Sequence, residues 1–217
     1  MPDNIPVITI DNLISALKAP LPGASAHTTM LPKGRKLDYD SNKPNIKKSA
    51  VLMLIYPNNG ELFFCLTKRN AKLKHHPGQI SFPGGKCEKH EIDTVETALR
   101  ETEEEIGIER NHIQILGRLS DVYVSVSNFI IHPYIGYISR KPDFKINRKE
   151  VDELIVLPLN SILNMANRTE RDIETSIGVL RVSCYLINDY VIWGATSMMI
   201  AELEALLRKH YSHRGAH

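Results

Sequence analysis

Four of the five residues from 101 to 105 are glutamate, and their spacing decides what they can do. On an α-helix, at roughly 100° per residue, Glu101, Glu104 and Glu105 fall within about 50° of one line, while Glu103 points elsewhere. Like charges one turn apart cost about 0.2–0.5 kcal/mol per pair in water. A hard divalent cation, Mg²⁺ or Mn²⁺, turns that repulsion into a binding site, because such ions prefer carboxylate oxygens. Arg100, four residues before Glu104, can steady that carboxylate by a charge-assisted bond. A solvated acidic helix face is the competing reading of the same run.

The flanks specify the helix that would carry these groups. Asp93 or Thr94 can cap its start, Glu96 follows Asp93 by three as in a capping box, and Gly107 supplies the left-handed C-terminal position. Val95, Ala98, Leu99, Thr102 and Ile106 form a core stripe beside the carboxylates. Upstream, Gly84 and Gly85 end a short apolar segment, Gln79 to Pro83. A backbone turn there brings carbonyls and amides near the helix, and glycine lets the main chain approach a ligand closely.

Taken together, Gly85, Arg100, Glu101, Glu104, Glu105, Gly107 and Ile108 resemble the signature of the Nudix hydrolases, which split a nucleoside diphosphate linked to another group. Two positions depart from that pattern: Thr102 replaces an apolar residue, and eight residues rather than seven separate Glu91 from Arg100. The longer spacing, with the block LTKRNAKLKHHPGQISFPGGK from Leu66 to Lys86, is similar to the coenzyme A diphosphatase branch. That branch usually has serine in place of Asn70, arginine in place of Lys74, and aspartates in place of Glu88 and Glu91. All four changes keep polarity or charge.

The resemblance implies an α/β fold, the Nudix α/β/α sandwich with a mixed β-sheet. It implies Mg²⁺- or Mn²⁺-dependent cleavage of coenzyme A or its thioesters to 3′,5′-ADP and 4′-phosphopantetheine, or the acyl form. The metals would sit on Glu101, Glu104, Glu105 and the Gly84 carbonyl. Arg100 belongs to the catalytic set, and either Glu101 or Glu150 takes the proton of the attacking water. Glu150 and Glu153 are the candidates for the extra loop glutamate common in the family. Glu150 is preferred because Leu154 to Leu157 already reads as strand, and a solvated turn is the competing account of both. Coenzyme A carries a diphosphate and a separate 3′-phosphate, so the basic run from Lys68 to His76 is expected to meet phosphates. The substrate-binding set is Lys68, Arg69, Lys74 and Gly85; taken alone, the basic run reads as a solvated loop.

Composition bounds the rest. With 217 residues, 42% hydrophobic and 24% charged, the chain resembles an ordinary globular protein. Its formal net charge of +2 argues neither for nor against nucleic acid. The expected partner is a small-molecule substrate, with no nucleic acid or membrane, and the expected state is monomer or homodimer. No apolar run approaches the ~20 residues needed to span a bilayer. The first residues lack a secretory pattern and the last lack a Ser-Lys-Leu ending. Cys65, Cys87 and Cys184 have no metal-ligand spacing, and the expected compartment is the reducing cytoplasm.

Residues 1–45 read as an extension, with a short helical stripe at Leu13, Ile14 and Leu17 and a wrapping or mobile linker from Leu21 to Asn45. Residues 46–212 read as the hydrolase domain. Strands are expected at 48–56 and 61–67, joined through Asn59-Gly60, and at 112–118, 122–126 and 129–138, with an edge or bulge at Pro133. Later strand segments are expected at 173–180 and 182–186, and Trp193-Gly194-Ala195-Thr196 resembles the branch's Trp-Gly-x-Thr before a final helix. Three other readings compete: another nucleoside diphosphate derivative as substrate (NADH, ADP-ribose or a dinucleoside polyphosphate), a nucleotide sensor without turnover, and an acidic protein-docking helix.

Overall fold

The run of seven buried residues from Ala50 to Tyr56 forms the centre of strand β1 (Lys47–Asn58). Both of its faces are covered, which is why its sequence lacks polar alternation. In the computed structural model, which describes residues 6–32, 45–72, 78–175 and 178–214, β1 runs parallel to β7 (Phe129–Tyr137). On its other side β1 is antiparallel to β4 (Gly84–Lys86) early on and to β2 (Glu61–Arg69) at its end. Asn59 and Gly60, both at positive φ, close the β1–β2 hairpin as a tight two-residue turn requires. β2 continues beyond β1 to pair with β8 (Val151–Pro158) and briefly with β3 (Ile80–Ser81). β5 (Gln114–Arg118) and β6 (Val122–Val124) both pair with β7 and complete a mixed, eight-stranded sheet.

Pro133 sits inside β7 without breaking it. Its carbonyl accepts from Leu119, in the gap between β5 and β6. The nitrogen of an extended residue faces the same side as its carbonyl, so the missing N–H falls where no strand requires a donor.

Side chains of β1 alternate between two cores. Ala50, Leu52 and Leu54 pack with Cys65, Ala98 and Ile106 under helix α3 (Thr94–Ile106). Val51, Met53 and Ile55 pack with Phe64, Leu66, Leu203 and Leu207 under helix α4 (Gly194–Arg214). The result is an α/β/α sandwich with a mixed sheet. A separate three-stranded sheet has the order β11 (Tyr190–Ile192), β10 (Gly178–Ile187), β9 (Arg168–Thr175).

Two expectations are corrected. The segment from Leu21 is not wholly a linker: after α1 (Ile10–Leu17), helix α2 (Ala24–His27) and a 3-10 turn to Met30 pack onto α4. The cause is Glu202 of α4, fully buried, which accepts from Gly23 N at 3.1 Å and from Ser120 N and Oγ at 3.1 and 2.6 Å. The oxygen that accepts from Ser120 N also lies 2.9 Å from His27 Nε2. The stretch 173–180 is not one strand but spans a hairpin, since Thr175 pairs with Gly178 and Ile173 with Leu180. The apolar residues at 173 and 180 are cross-strand partners rather than members of one strand.

Candidate metal and substrate site

Helix α3 begins and ends where its caps place it. Asp93 accepts from Val95 N at 3.1 Å, and Gly107 takes the left-handed conformation at φ 72° with its N–H on Glu103 O. The carbonyls of Glu105 and Ile106 accept from Asn147 N and Lys145 N, at 3.0 and 2.9 Å. The chain after β7 is thereby tied to the C-terminal end of the helix, a usual fate for its unsatisfied carbonyls. That docking brings Glu150 to Glu101 and Glu105: one carboxylate oxygen from each lies within 4.8 Å of the others.

The β-sheet shapes the opposite wall. A Cβ on Gly85 would lie 2.3–2.6 Å from the carboxylate of Glu101, so the bare backbone of β4 is what leaves room for that group. Gly84 is hemmed in by backbone instead, with Ala50 O 2.4 Å from where its Cβ would be. Thr102, the departure from the apolar pattern, is fully buried and donates to Ala98 O at 2.7 Å, which satisfies its hydroxyl inside the helix.

Arg100 organises the rim. It donates from Nε to Glu91 at 2.9 Å, and from one terminal nitrogen to Glu101 at 2.8 Å and Glu104 at 3.0 Å. Burial alone would raise the Glu91 carboxyl, but hydrogen bonds from Arg100, Thr97 and the Glu88 backbone bring it down to about 2. Glu91 is therefore a fixed anion that anchors the guanidinium. Glu104 pairs with Arg100 and its side chain is half exposed. It stands outside the three-carboxylate group.

Glu105 is the deepest member. Burial, with Glu101 and Glu150 nearby, pushes its carboxyl up to about 8 despite Arg69 at 3.9 Å and the Thr67 hydroxyl at 3.3 Å. Glu101 is likewise raised by burial and by Glu104 and Glu150, against the pull of Arg100. Three crowded carboxylates with so few donors are the chemistry a hard divalent cation satisfies. The residues fit such an ion.

The basic run divides. Arg69 faces α3 and the carboxylates, and its Nε is buried without a partner among the described residues. Lys68, the preceding strand residue, points to the other face, 3.9 Å from Glu153. Glu153 also accepts from the Tyr190 hydroxyl. Glu150 and Glu153 are thus on different sides of the sheet, and only Glu150 joins Glu101 and Glu105. Lys74, His75 and His76 lie outside the described residues. Cys87 is half-buried, and Cys65 is fully buried, its thiol pushed by burial up to about 12.

Sequence reasoning did not single out Thr67 or Asn147. The alternation Cys65, Thr67, Arg69 on β2 was the available signal for the first; an asparagine opening a turn was the only signal for the second.

A family model described as the NUDIX domain matches residues 46–175. The mouse peroxisomal coenzyme A diphosphatase NUDT7 is 30% identical over 214 residues, covering 95% of this chain and 84% of the relative. The uncharacterized Nudix hydrolase NudL of Pectobacterium atrosepticum is 37% identical over 138 residues, 64% of this chain and 71% of the relative. Among solved structures, the Nudix hydrolase RenU of M. smegmatis aligns with a TM-score of 0.51 at 16% identity, over 77% of this chain and 87% of that one. Among the described residues, no helix is long and apolar enough to cross a membrane.

Proposed function

Because the chain belongs to the Nudix hydrolase family, enzymes of diphosphate bonds that generally use divalent cations, we propose that it cleaves coenzyme A or its thioesters. The observation that carries the choice of substrate is the similarity to a coenzyme A diphosphatase, which extends beyond the family domain through the N-terminal helices and α4. The products are 3′,5′-ADP and 4′-phosphopantetheine, or its acyl form.

Glu101 and Glu105 would hold the cation, with Glu150 and the Gly84 carbonyl beside them and Glu104 at the rim. A divalent cation there supplies positive charge against the diphosphate oxygens and makes water easier to deprotonate. Arg69, whose Nε has no partner among the described residues, meets a diphosphate oxygen from the β2 side. Lys68 and Lys74 remain for the more distant 3′-phosphate. Glu150 accepts the proton of the attacking water. Of the three carboxylates it alone comes from a loop and holds only a neutral amide, whereas Glu101 is committed to Arg100 and Glu105 is buried beneath. As that proton leaves, the water oxygen bonds to phosphorus and the phosphoanhydride bond breaks. Arg100, bonded to both Glu101 and Glu104, keeps them aimed rather than touching substrate. Three free thiols suit a reducing cytoplasm.

The test is hydrolysis of coenzyme A, 3′-dephospho-coenzyme A and ADP-ribose with Mg²⁺ or Mn²⁺, products identified by mass. Coenzyme A should be cleaved fastest. Cleavage of ADP-ribose with coenzyme A left intact would assign the site to another nucleoside diphosphate.

A further inference from the structure

We infer that Asn147 is a positioning residue that sets the carboxylate of Glu150, an inference that rests on the metal-dependent hydrolase reading above. Glu101 and Glu105 are held by a rigid helix, whereas Glu150 comes from a turn between the end of α3 and β8. A loop glutamate has several rotamers of similar energy, and two neighbouring carboxylates push it away from the site. Something must select the inward rotamer.

Asn147 does so with every polar atom it has. Its backbone N–H donates to Glu105 O at 3.0 Å, which fixes the residue to the helix turn that carries the deepest carboxylate. Its side-chain Nδ2 donates to Glu150 Oε1 at 3.2 Å. Its Oδ1 accepts from Lys149 N at 3.2 Å, and its carbonyl accepts from Glu150 N and Val151 N at 3.0 and 2.9 Å. One residue thus links the backbone beneath one carboxylate to the side chain of another. From the opposite side, Asn70 N donates to Glu150 O at 2.8 Å and Asn70 Nδ2 to Arg148 O at 3.0 Å, so the turn is clamped between α3 and the end of β2. The amide thus holds one oxygen of a carboxylate that belongs to the three-glutamate group. Groups that orient a metal-site ligand or base in this way are worth roughly ten- to a hundredfold in affinity or rate.

The discriminating variant is Asn147→Asp. Aspartate keeps the backbone bonds and the acceptor for Lys149 N, but it lacks the donor and places a like charge against Glu150. Steady-state kinetics with coenzyme A and MnCl₂, thermal unfolding, and the cycle N147A, E150A and N147A/E150A form the experiment. Expected are kcat losses of roughly ten- to a hundredfold in both N147A and N147D, with KM within about twofold. N147D should melt close to wild type, and N147A/E150A should be no slower than E150A alone. A residue that merely shapes the turn would leave N147D near the wild-type rate, or give losses that multiply in the double variant; either result overturns the inference. Wild-type protein inert toward coenzyme A, ADP-ribose and NADH would overturn the hydrolase reading itself, and this inference with it.

Discussion

Replacing Gly85 by alanine separates the site from the scaffold. The added Cβ would lie 2.3 Å from the Glu101 carboxylate carbon and 2.4 and 2.6 Å from its oxygens. Ordinary contact begins near 3.4 Å, so the carboxylate must retreat by about 1 Å. That retreat is cheap for stability, because the far end of a glutamate moves easily and alanine is itself favoured over glycine in a strand by about 0.5–1 kcal/mol. It is expensive for chemistry. Glu101 would leave both its 2.8 Å bond to Arg100 and its place beside Glu105 and Glu150. A misplacement of about 1 Å in a reacting constellation costs on the order of a hundredfold in rate. The expected result is kcat down about a hundredfold, with Tm within about 3 °C of wild type. Gly84→Ala should instead lose stability. Its Cβ would meet Ala50 O at 2.4 Å and Val51 Cα at 2.7 Å, backbone that cannot yield. Overpacking of that kind costs about 1–3 kcal/mol, or about 6 °C in a chain of this size at the middle of that range. Initial rates with coenzyme A and Mn²⁺, beside thermal melts, read both numbers. G85A at the wild-type rate, or G85A melting like G84A, would refute the claim that Glu101 packs on bare backbone as part of the site.

Glu105→Gln should lose on the order of 10²–10³-fold in turnover, and Glu104→Gln distinctly less, because Glu105 lies in the carboxylate group while Glu104 pairs with Arg100 at its rim. Manganese titration followed by electron paramagnetic resonance, with kcat in parallel, decides this; equal losses would place both in one coordination set. Glu202 is expected to contribute to acid stability: burial would raise its carboxyl, but hydrogen bonds from His27, Ser120 and Gly23 hold it below the ordinary value of 4.5. A depressed carboxyl contributes stability that is complete above the unfolded pKa and is lost as pH falls through the lower folded value. Wild type should therefore lose Tm on acidification below pH about 4.5, and Glu202→Gln should begin about 1–3 kcal/mol less stable and show a flatter acid limb. Parallel curves for the two proteins between pH 3 and 7 would exclude this role.

What the sequence made legible was local. The caps Asp93 and Gly107 and the apolar stripe between them act over single turns, so the helix and the shared face of its carboxylates could be read without a structure. The hairpin at Asn59-Gly60 is equally local, since both residues tolerate positive φ. The misjudged hairpin at 175–178 fails for the same reason in reverse. Its apolar residues keep strand-like spacing across the turn, and only Gly178 marks a break. The N-terminal helices are tied to Glu202, a buried charge 175 residues from its partner His27 in no legible pattern. Local propensity carries no record of such a contact.

The divergence of Lys68 and Arg69 shows a middle case. Alternation along β2 turns consecutive residues to opposite sides, and Lys68 and Arg69 still follow it although their pairing with β8 shifts register between them. Thr67 bonded to Glu105 fixes which side is which, and with it Arg69 goes to the carboxylates and Lys68 to Glu153. The same alternation along β8 sends Glu153 toward Lys68 and Tyr190, while Glu150 stays in the turn that Asn147 ties to α3. The site is thus assembled by two periodicities meeting at one end of the sheet. A helix repeats its carboxylates every turn, and a strand offers every second side chain. The loop between β7 and β8 supplies the group that neither period can place. Because that loop is anchored on the carbonyls of Glu105 and Ile106, any change that frays the last turn of α3 moves two carboxylates at once.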